Sequence, residues 1–557
     1  MSVPATPLED LRESVLEAAS ELARASSNGE HERASASRRA QVTLEAPPRA
    51  DFGDYSTNAA LLLAPVLGQP PREVAQRLGA ALQERLGARL ERFEAAGPGF
   101  LNLFLADSWL AGALARALEA GQSYGAGEPA QPELVLIEFV SANPTGPMHV
   151  GHARNAAYGD SLARMLSFCG HQVKREFYVN DAGAQVRKLG ESLRAVAVGE
   201  PVPEDGYHGA YLLQLVHLVG DAREDPSELG RAAVGELLAQ MHSSLGAMNV
   251  LEFDRFAFES ELYSGEPSAV ERALALLERQ GRTYRSEGAL WLRTTEFGDD
   301  KDRVLVRSSG EHTYLASDIA YHEDKRERGF ARQIDVWGAD HHGYVRRLKA
   351  AFQALGGDPE RLELLIMQLV HLVQAGERAQ MSKRAGEFVT VDQLLVEIGT
   401  DAARWYLLSR SHDTTIDLDL DLARRQSNEN PVYYVQYAHA RIASVLAKAA
   451  AERGEDAVAA VSPEAREPLH PSERTLVKLL LAFPLEVSGA TEKRAPHRIA
   501  AYALELAQGF SAFYRDCRVV GAGSEAVESF RLALCTVSKL AIARCLDLLG
   551  VSAPERM

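Results

Sequence analysis

Cysteine is scarce in these 557 residues. There are four, Cys169, Cys517, Cys535 and Cys545, and no two of them form a CxxC pair. Such spacing gives no support to a disulfide framework or a zinc site, and buried thiols in a reducing compartment are the reading it leaves. Long apolar runs are missing as well: no stretch approaches the roughly 18 uninterrupted apolar residues of a membrane span. The opening segment, MSVPATPLEDLRESVLEAASELARASS, mixes acids into a helical pattern and lacks a basic start followed by an apolar run. No signal or transit peptide is therefore expected, and the cytosol is the expected compartment. Positive charge is the third deficit, with 60 Lys and Arg against 77 Asp and Glu, a formal net charge of −17. That balance argues against wholesale coating of a polyanion, whose phosphates must be neutralised by Lys and Arg. It leaves room for local basic surfaces on an acidic body, and His31–Arg39 and Arg515–Arg518 are the candidates.

What is present is ordinary globular material, 46% hydrophobic and 25% charged, enough for three or four domains at roughly 150 residues each. Residues 8–26 carry Leu8, Leu11, Val15, Ala18 and Leu22 on one helical stripe. The turn-rich Asp51–Asn58, a helix near Pro71–Leu86 and a turn plus strand at Gly97–Leu105 complete a compact α+β module. Gly121–Pro132 reads as a linker. Then Leu134–Val140 forms a near-continuous apolar run, the mark of a central strand in a parallel sheet covered on both faces. A Pro/Gly turn, Asn143–Pro147, leads into a helix from His149 to Phe168, and Val173–Val179 is the next strand. This is a βαβ unit whose first turn lies at the carboxyl edge of the sheet, where open α/β sheets bind ligands. The segment from about 190 to 290 reads as mostly helical, an insertion in the sheet. A hairpin over Arg303–Tyr314 follows, with Ser317 or Asp318 able to cap the next helix, and Gln333–Gly338 is a further strand. From about residue 400 the strand signals vanish, and Asn430-Pro431 opens a long helical pattern.

Two short segments carry chemistry. His149-Val-Gly-His152 falls at the first turn of the βαβ unit; about 0.04 such HxGH tetrapeptides are expected by chance in a chain of this composition. Glycine there lets a ligand approach the backbone, and a helix N-terminus favours phosphate. The second segment, Gln380-Met-Ser-Lys-Arg-Ala-Gly386, is a basic glycine-ended stretch after the apolar Leu362–Leu372. A mobile lysine of this kind can follow charge developing on a pyrophosphate leaving group.

In this order, about 230 residues apart, the two segments resemble the ATP-binding signatures of class I aminoacyl-tRNA synthetases. Glu138–Arg154, Tyr178–Gly183, Tyr314–His322, Asp340–Gly343, Asn430–Arg441 and the terminal Leu549–Met557 narrow the resemblance to the arginyl-tRNA synthetase family, from the first module to the last residue. The resemblance implies an α/β fold: a class I Rossmann-like parallel-sheet catalytic domain (126–400), an N-terminal α+β tRNA-binding module (1–125) and a C-terminal all-helical anticodon-binding domain (401–557). It implies attachment of L-arginine to its tRNA in two steps, through arginyl-adenylate, by a cytosolic monomer with no membrane association. His149, His152 and Lys383 would act in catalysis, and Gly151, Gly338, Met381 and Ser382 would complete the ATP site. No metal would be held by the protein itself; Mg²⁺ would accompany ATP, bound mostly by phosphate oxygens and water.

A guanidinium is planar and prefers charge-assisted carboxylate partners. The resemblance assigns that role to Asp318 with Tyr314, and the remaining polar contacts to Glu138, Ser141, Asn143, His152, Asp340 and His341. For tRNA it points to Asp51, Phe52 and Asn58 in the first module and to Tyr433, Tyr437 and Arg441 in the last domain. The family's lysine-loop signature begins with Lys and ends with Ser, where this chain has Gln380 and Arg384. Lys383 is therefore the loop residue expected to carry the mechanism. A synthetase for another amino acid and a catalytically silent tRNA-binding paralogue are the rival readings; the carboxylate candidates speak against the first, and His149, Gly151, His152 and Lys383 against the second.

Overall fold

The computed structural model describes residues 6–26, 41–129, 131–220, 225–378, 389–459 and 461–557. The His31–Arg39 patch and the loop residues Gln380, Met381, Ser382, Lys383 and Arg384 lie outside the described residues.

In the N-terminal module, helix Pro7–Ser26 and helices Ala59–Leu67 and Pro71–Leu86 cover an antiparallel sheet. Its strands are β1 (Leu44–Glu45), β2 (Tyr55–Thr57), β3 (Leu90–Ala96) and β4 (Phe100–Leu105), in the order β1-β2-β4-β3. The β3–β4 turn passes through Gly99 at φ 138°, where a Cβ would stand 2.5 Å from the Cβ of Pro71, so only glycine lets the hairpin lie against the helix start.

The central body is a parallel sheet of β5 (Leu134–Glu138), β6 (Gln172–Val179), β7 (Arg255–Phe258), β11 (Arg332–Gly338) and β12 (Leu362–Met367), in the order β12-β11-β5-β6-β7. A small antiparallel sheet of β8 (Thr283–Ser286), β9 (Ala289–Leu292) and β10 (Arg303–Val306) precedes β11 in the chain. Val135, Ile137, Phe177 and Ile334 are wholly buried in the layer between sheet and helices, which explains the continuous apolar lettering of these strands. Helix Val150–Phe168 makes the crossover from β5 to β6.

Three expectations change. The stretch 190–290, expected to be a mostly helical insertion, also supplies a strand to the sheet: Arg255–Phe258 forms β7, its edge strand. The helix expected to be capped by Ser317 or Asp318 begins at Tyr314 with Thr313 at its N-cap, so Asp318 sits in its second turn and is free for other work. Strand does not end at 400: β15 (Ile416–Asp419) pairs in parallel with β13 (Val370–Gln374), which itself continues into β14 (Glu377–Arg378). Four residues are too short a window for alternation to be read.

Helices Pro431–Arg453, Pro471–Glu492, Pro496–Asp516 and Glu525–Leu549 form the last domain around Leu480, Phe483, Leu506, Phe510, Leu534 and Ile542. Asn430 opens it, its side-chain amide donating to the carbonyls of Ala423 and Arg425. Two polar junctions fasten this domain. Asp54 of the first module accepts from Arg474 at 2.8 Å and Lys478 at 3.2 Å. Asp160, on the helix that follows the histidine turn, pairs with the wholly buried Arg404 at 2.6 Å; Arg404 also donates to Leu549 O at 2.7 Å and Met248 O at 3.0 Å. Among the described residues no helix is long and apolar enough to cross a membrane.

Removing one partner of a buried ion pair strands the other. Arg404→Met is expected to cost about 3–5 kcal/mol in urea unfolding. A loss below about 1 kcal/mol would show that this junction does not hold the domains together.

Candidate active site

The site is built on the carboxyl ends of β5, β6, β7 and β11. Directly after β5 the chain enters left-handed backbone at two successive non-glycine residues, Val140 at φ 67° and Ser141 at φ 40°. Each costs on the order of 1–3 kcal/mol and persists only where its surroundings enforce it. Here the enforcement is explicit. The Val140 N–H donates to Asn155 Oδ1 at 2.7 Å, and Asn155 Nδ2 donates to Val336 O at 2.7 Å, tying the turn to β11. Ser141 Oγ accepts from the Tyr178 N–H at 3.1 Å and donates to Glu138 Oε1 at 2.8 Å.

The turn delivers His149 to the N-cap of helix Val150–Phe168. His149 Nδ1 accepts from the Gly151 N–H at 3.1 Å, and His152 Nδ1 accepts from the His149 N–H at 3.3 Å. The two rings stack with centroids 3.9 Å apart. With Nδ1 accepting, each neutral ring carries its proton on Nε2 and can donate it to an anion. A Cβ on Gly151 would come within 2.9 Å of the His149 ring, and one on Gly338 within 2.7 Å of Asp340 Oδ1, so both glycines keep the edge open. The described chain resumes after the second motif at this same turn: Val389 O accepts from the Val150 N–H at 3.3 Å, and the Val391 N–H donates to Met148 O at 2.9 Å. Arg154 lies wholly buried one helical turn on, donating to Gln368 O at 2.7 Å and Ser411 O at 2.8 Å, and burial lowers its guanidinium to about 10.

Beside the histidines lies a pocket of carboxylates. Asp318 accepts a short hydrogen bond from the Tyr344 hydroxyl, and burial raises its carboxyl. Glu259, the residue after β7, is 8% exposed; burial first, then Asp318 and Asp181, push its carboxyl up to about 7. Ser317 bridges this group, bonded to Glu259 and to the Tyr263 hydroxyl at 2.6 Å. Tyr178 is raised by burial and then by Glu259, Asp318 and Glu138, which places all three acids around one ring. Among the described residues neither Glu259 nor Asp318 has a Lys or Arg within ion-pair distance. Two adjacent acids without a cation are a receptor for one.

Underneath runs a second feature. Glu176, Glu138 and Asp335 stand in register across β6, β5 and β11, three buried carboxylates in one row. Lys325, fully buried, reaches Glu138 at 2.7 Å and Asp335 at 2.8 Å; His322 Nε2 meets Asp335 at 2.7 Å; Arg328 meets Glu176 at 2.7 and 2.9 Å.

Of the residues singled out from sequence, Glu138, Ser141 and Asp318 share this pocket, and His149, Gly151 and His152 form the adjoining turn. Tyr314 is 68% exposed at the pocket mouth, on the helix that carries Asp318. Asn143 is exposed in the strand-end turn. Asp340 and His341 are exposed, with the His341 ring against Trp337, which in turn meets Tyr344. Asn58 is engaged inside its own module, accepting from the Thr43 N–H at 2.9 Å and donating to Gln41 O at 3.1 Å. Asp51 pairs with Arg49, whose guanidinium covers the exposed Phe52 ring at 5.2 Å. Tyr433 and Tyr437 stack nearly parallel, and Arg441 lies over both Tyr437 and Tyr514 at 4.6 and 5.4 Å. Glu259, Tyr263, Lys325 and Asp335 escaped sequence reasoning. Recognising Arg255–Phe258 as a strand would have put Glu259 on the ligand edge.

A parallel sheet with a histidine turn following its first strand is the arrangement of a class I aminoacyl-tRNA synthetase. A family model described as "tRNA synthetases class I (R), catalytic domain" matches residues 113–197 and 234–430. "Arginyl tRNA synthetase N terminal domain" matches 9–105, and "DALR anticodon binding domain" matches 435–557. The arginine–tRNA ligase of Shouchella clausii is 45% identical over 537 residues, 93% of this chain and 94% of its own. That of Desulfosudis oleivorans is 46% identical over 540 residues, 94% of this chain and 96% of its own. The structure of Thermus thermophilus arginyl-tRNA synthetase superposes with a TM-score of 0.75 at 26% identity, covering 99% of this chain and all of that one. The chain belongs to the arginyl-tRNA synthetase family.

Glu259 provides a test that needs no substrate. A folded-state value near 7 against an ordinary 4.5 means that the folded protein binds this proton more tightly than the unfolded chain. The resulting stability is present below about pH 4.5 and lost as pH rises through about 7. Glu259→Gln is therefore expected to stabilise the protein at about pH 8 by on the order of 1–3 kcal/mol, and to do little near pH 4.5. Thermal midpoints at the two pH values check this; a variant destabilised at the higher pH would contradict it.

Proposed function

We propose that this chain attaches L-arginine to its cognate tRNA in two steps. A carboxylate oxygen of arginine attacks the α-phosphorus of ATP in line; the bond to the bridging oxygen breaks, pyrophosphate leaves, and arginyl-adenylate remains. A hydroxyl of the tRNA's 3′-terminal adenosine then attacks the arginyl carbonyl carbon and AMP leaves. No protein nucleophile is needed, so positioning and charge stabilisation supply the rate.

The observation that carries the arginine reading is the pair Glu259 and Asp318, two carboxylates raised by burial with no Lys or Arg on them among the described residues. A guanidinium answers that charge, with Tyr314 on the same helix, while Glu138, Ser141 and Asn143 take the α-amino end and His152, Asp340 and His341 supply the remaining polar contacts to arginine. The imidazoles of His149 and His152, at a helix N-terminus, suit ATP phosphates, and Gly151 and Gly338 leave room for the nucleoside. Lys383, six positions before Val389 in the chain, is the group for the leaving pyrophosphate, helped by Met381 and Ser382. Mg²⁺ would arrive on the phosphates of ATP, held mostly by phosphate oxygens and water.

We take 1–125 as the tRNA-binding module, 126–400 as the catalytic domain and 401–557 as the anticodon domain of a cytoplasmic monomer. The Tyr433, Tyr437 and Arg441 stack offers faces for unpaired anticodon bases, with Asp51, Phe52 and Asn58 belonging to the first module's surface for tRNA.

ATP–pyrophosphate exchange tests the reading: exchange should appear with arginine, as in this family only when tRNA is present, and with no other amino acid. Exchange with lysine or cysteine, or none under any condition, would sink it. Lys383→Ala should lower kcat for activation by about a hundredfold with arginine binding nearly unchanged, and a pure rise in KM would reassign the lysine.

A further inference from the structure

We propose that Lys325 is a positioning residue for the amino-acid site: its ammonium keeps Glu138 ionised and oriented, so that the α-ammonium of arginine meets a carboxylate rather than a carboxylic acid. This rests on the reading of Glu138 as an arginine contact.

The geometry is specific. Lys325 lies seven residues, two helical turns, beyond Asp318, so both project from one face of helix Tyr314–Glu327 toward the sheet. It is fully buried, touches no solvent, and is divided between two acids: Nζ stands 2.7 Å from Glu138 Oε2 and 2.8 Å from Asp335 Oδ1. Its third proton faces the Tyr321 ring, 4.2 Å from the centroid. The other members of the row have partners of their own. Arg328 and the Tyr321 hydroxyl serve Glu176, and His322 serves the second oxygen of Asp335. Among the described residues Lys325 is the one cation bonded to Glu138, and Ser141 Oγ is the carboxylate's other donor.

The groups facing Glu138 are thus Lys325, His322 and Tyr321 from the helix, Asp335 from β11, Glu176 and Tyr178 from β6, and Ser141 from the turn. The Glu138 carboxyl sits above its ordinary range: burial raises it most, Lys325 pulls it back down, and Asp335 pushes it up again. Without Lys325 only the two upward influences remain strong, and the carboxyl takes a proton. Arginine binding then becomes dependent on pH in a definite direction: weak where Glu138 is protonated, recovering as pH rises.

The test uses the full-length enzyme with tRNA, measuring the arginine KM of aminoacylation from about pH 6.5 to about pH 8.5. Lys325→Met is expected to raise the arginine KM about tenfold or more over wild type at the low end, with the ATP KM within about twofold, and the ratio of variant to wild-type KM, which cancels the titration of Glu259 common to both, should shrink as pH rises. A uniform KM increase that ignores pH, or a fall in kcat alone, would overturn the proposal. Lys325→Met/Asp335→Asn removes one cation and one anion and leaves the net charge of the row unchanged. It should fold where the single variant does not, and still show a raised arginine KM that falls with pH. A wild-type KM at every pH, or a double variant that cannot fold, would show Lys325 to be structural only. Glu138→Gln separates the two layers of the argument. If it leaves the arginine KM unchanged, the pocket assignment fails; if it weakens arginine while the Lys325 variants do not, only the positioning role fails.

Discussion

Three carboxylates side by side across neighbouring buried strands are a cost that the sheet cannot bear alone. At roughly 5 Å and an effective dielectric of about 20, two unit charges repel by roughly 3 kcal/mol, before the desolvation of each is counted. Glu176, Glu138 and Asp335 occupy that arrangement because one helix faces them with Tyr321, His322, Lys325 and Arg328. The same helix carries Asp318 one turn earlier and Tyr314 at its start. Docking the helix on the acid row therefore fixes the pocket wall. The placement of Asp318 and the neutralisation of the sheet are one construction, and neither can be relaxed without exposing the row.

The division of charge within that construction gives each acid a different task. The row beneath is paired with Lys325, His322 and Arg328; the pocket above, Glu259 and Asp318, holds acids that burial raises and that no Lys or Arg of the described chain answers. A pocket left short of positive charge is poor for stability and good for a cationic substrate. The left-handed Val140 and Ser141 follow the same logic, with backbone strain held by Asn155 and used to aim Glu138 and the histidine turn.

Much of this was legible in the chain itself. The apolar Leu134–Val140 run, the glycine-bearing His149–His152 turn and the strand ending at Gly338 announced a parallel sheet and its ligand edge, and the structure places each there. Asp318 was ambiguous, because an acid near a helix start is as good a cap as a ligand; the position of Thr313 at the N-cap removes the cap reading. Glu259 was hidden because β7 is four residues long, an edge strand whose partner is about eighty positions away. Lys325 was hidden for a different reason. A lysine on an amphipathic helix reads as solvated surface, and nothing local shows that the acids waiting for it come from two strands of a distant sheet.

The central claim is that the pocket reads charge at the end of the side chain. Citrulline replaces the guanidinium with a neutral urea of nearly the same shape, so its affinity relative to arginine isolates that charge. Competitive inhibition of arginylation by citrulline should require about a thousandfold more ligand than arginine itself. Citrulline binding within about tenfold of arginine would mean that Glu259 and Asp318 are not what selects the substrate.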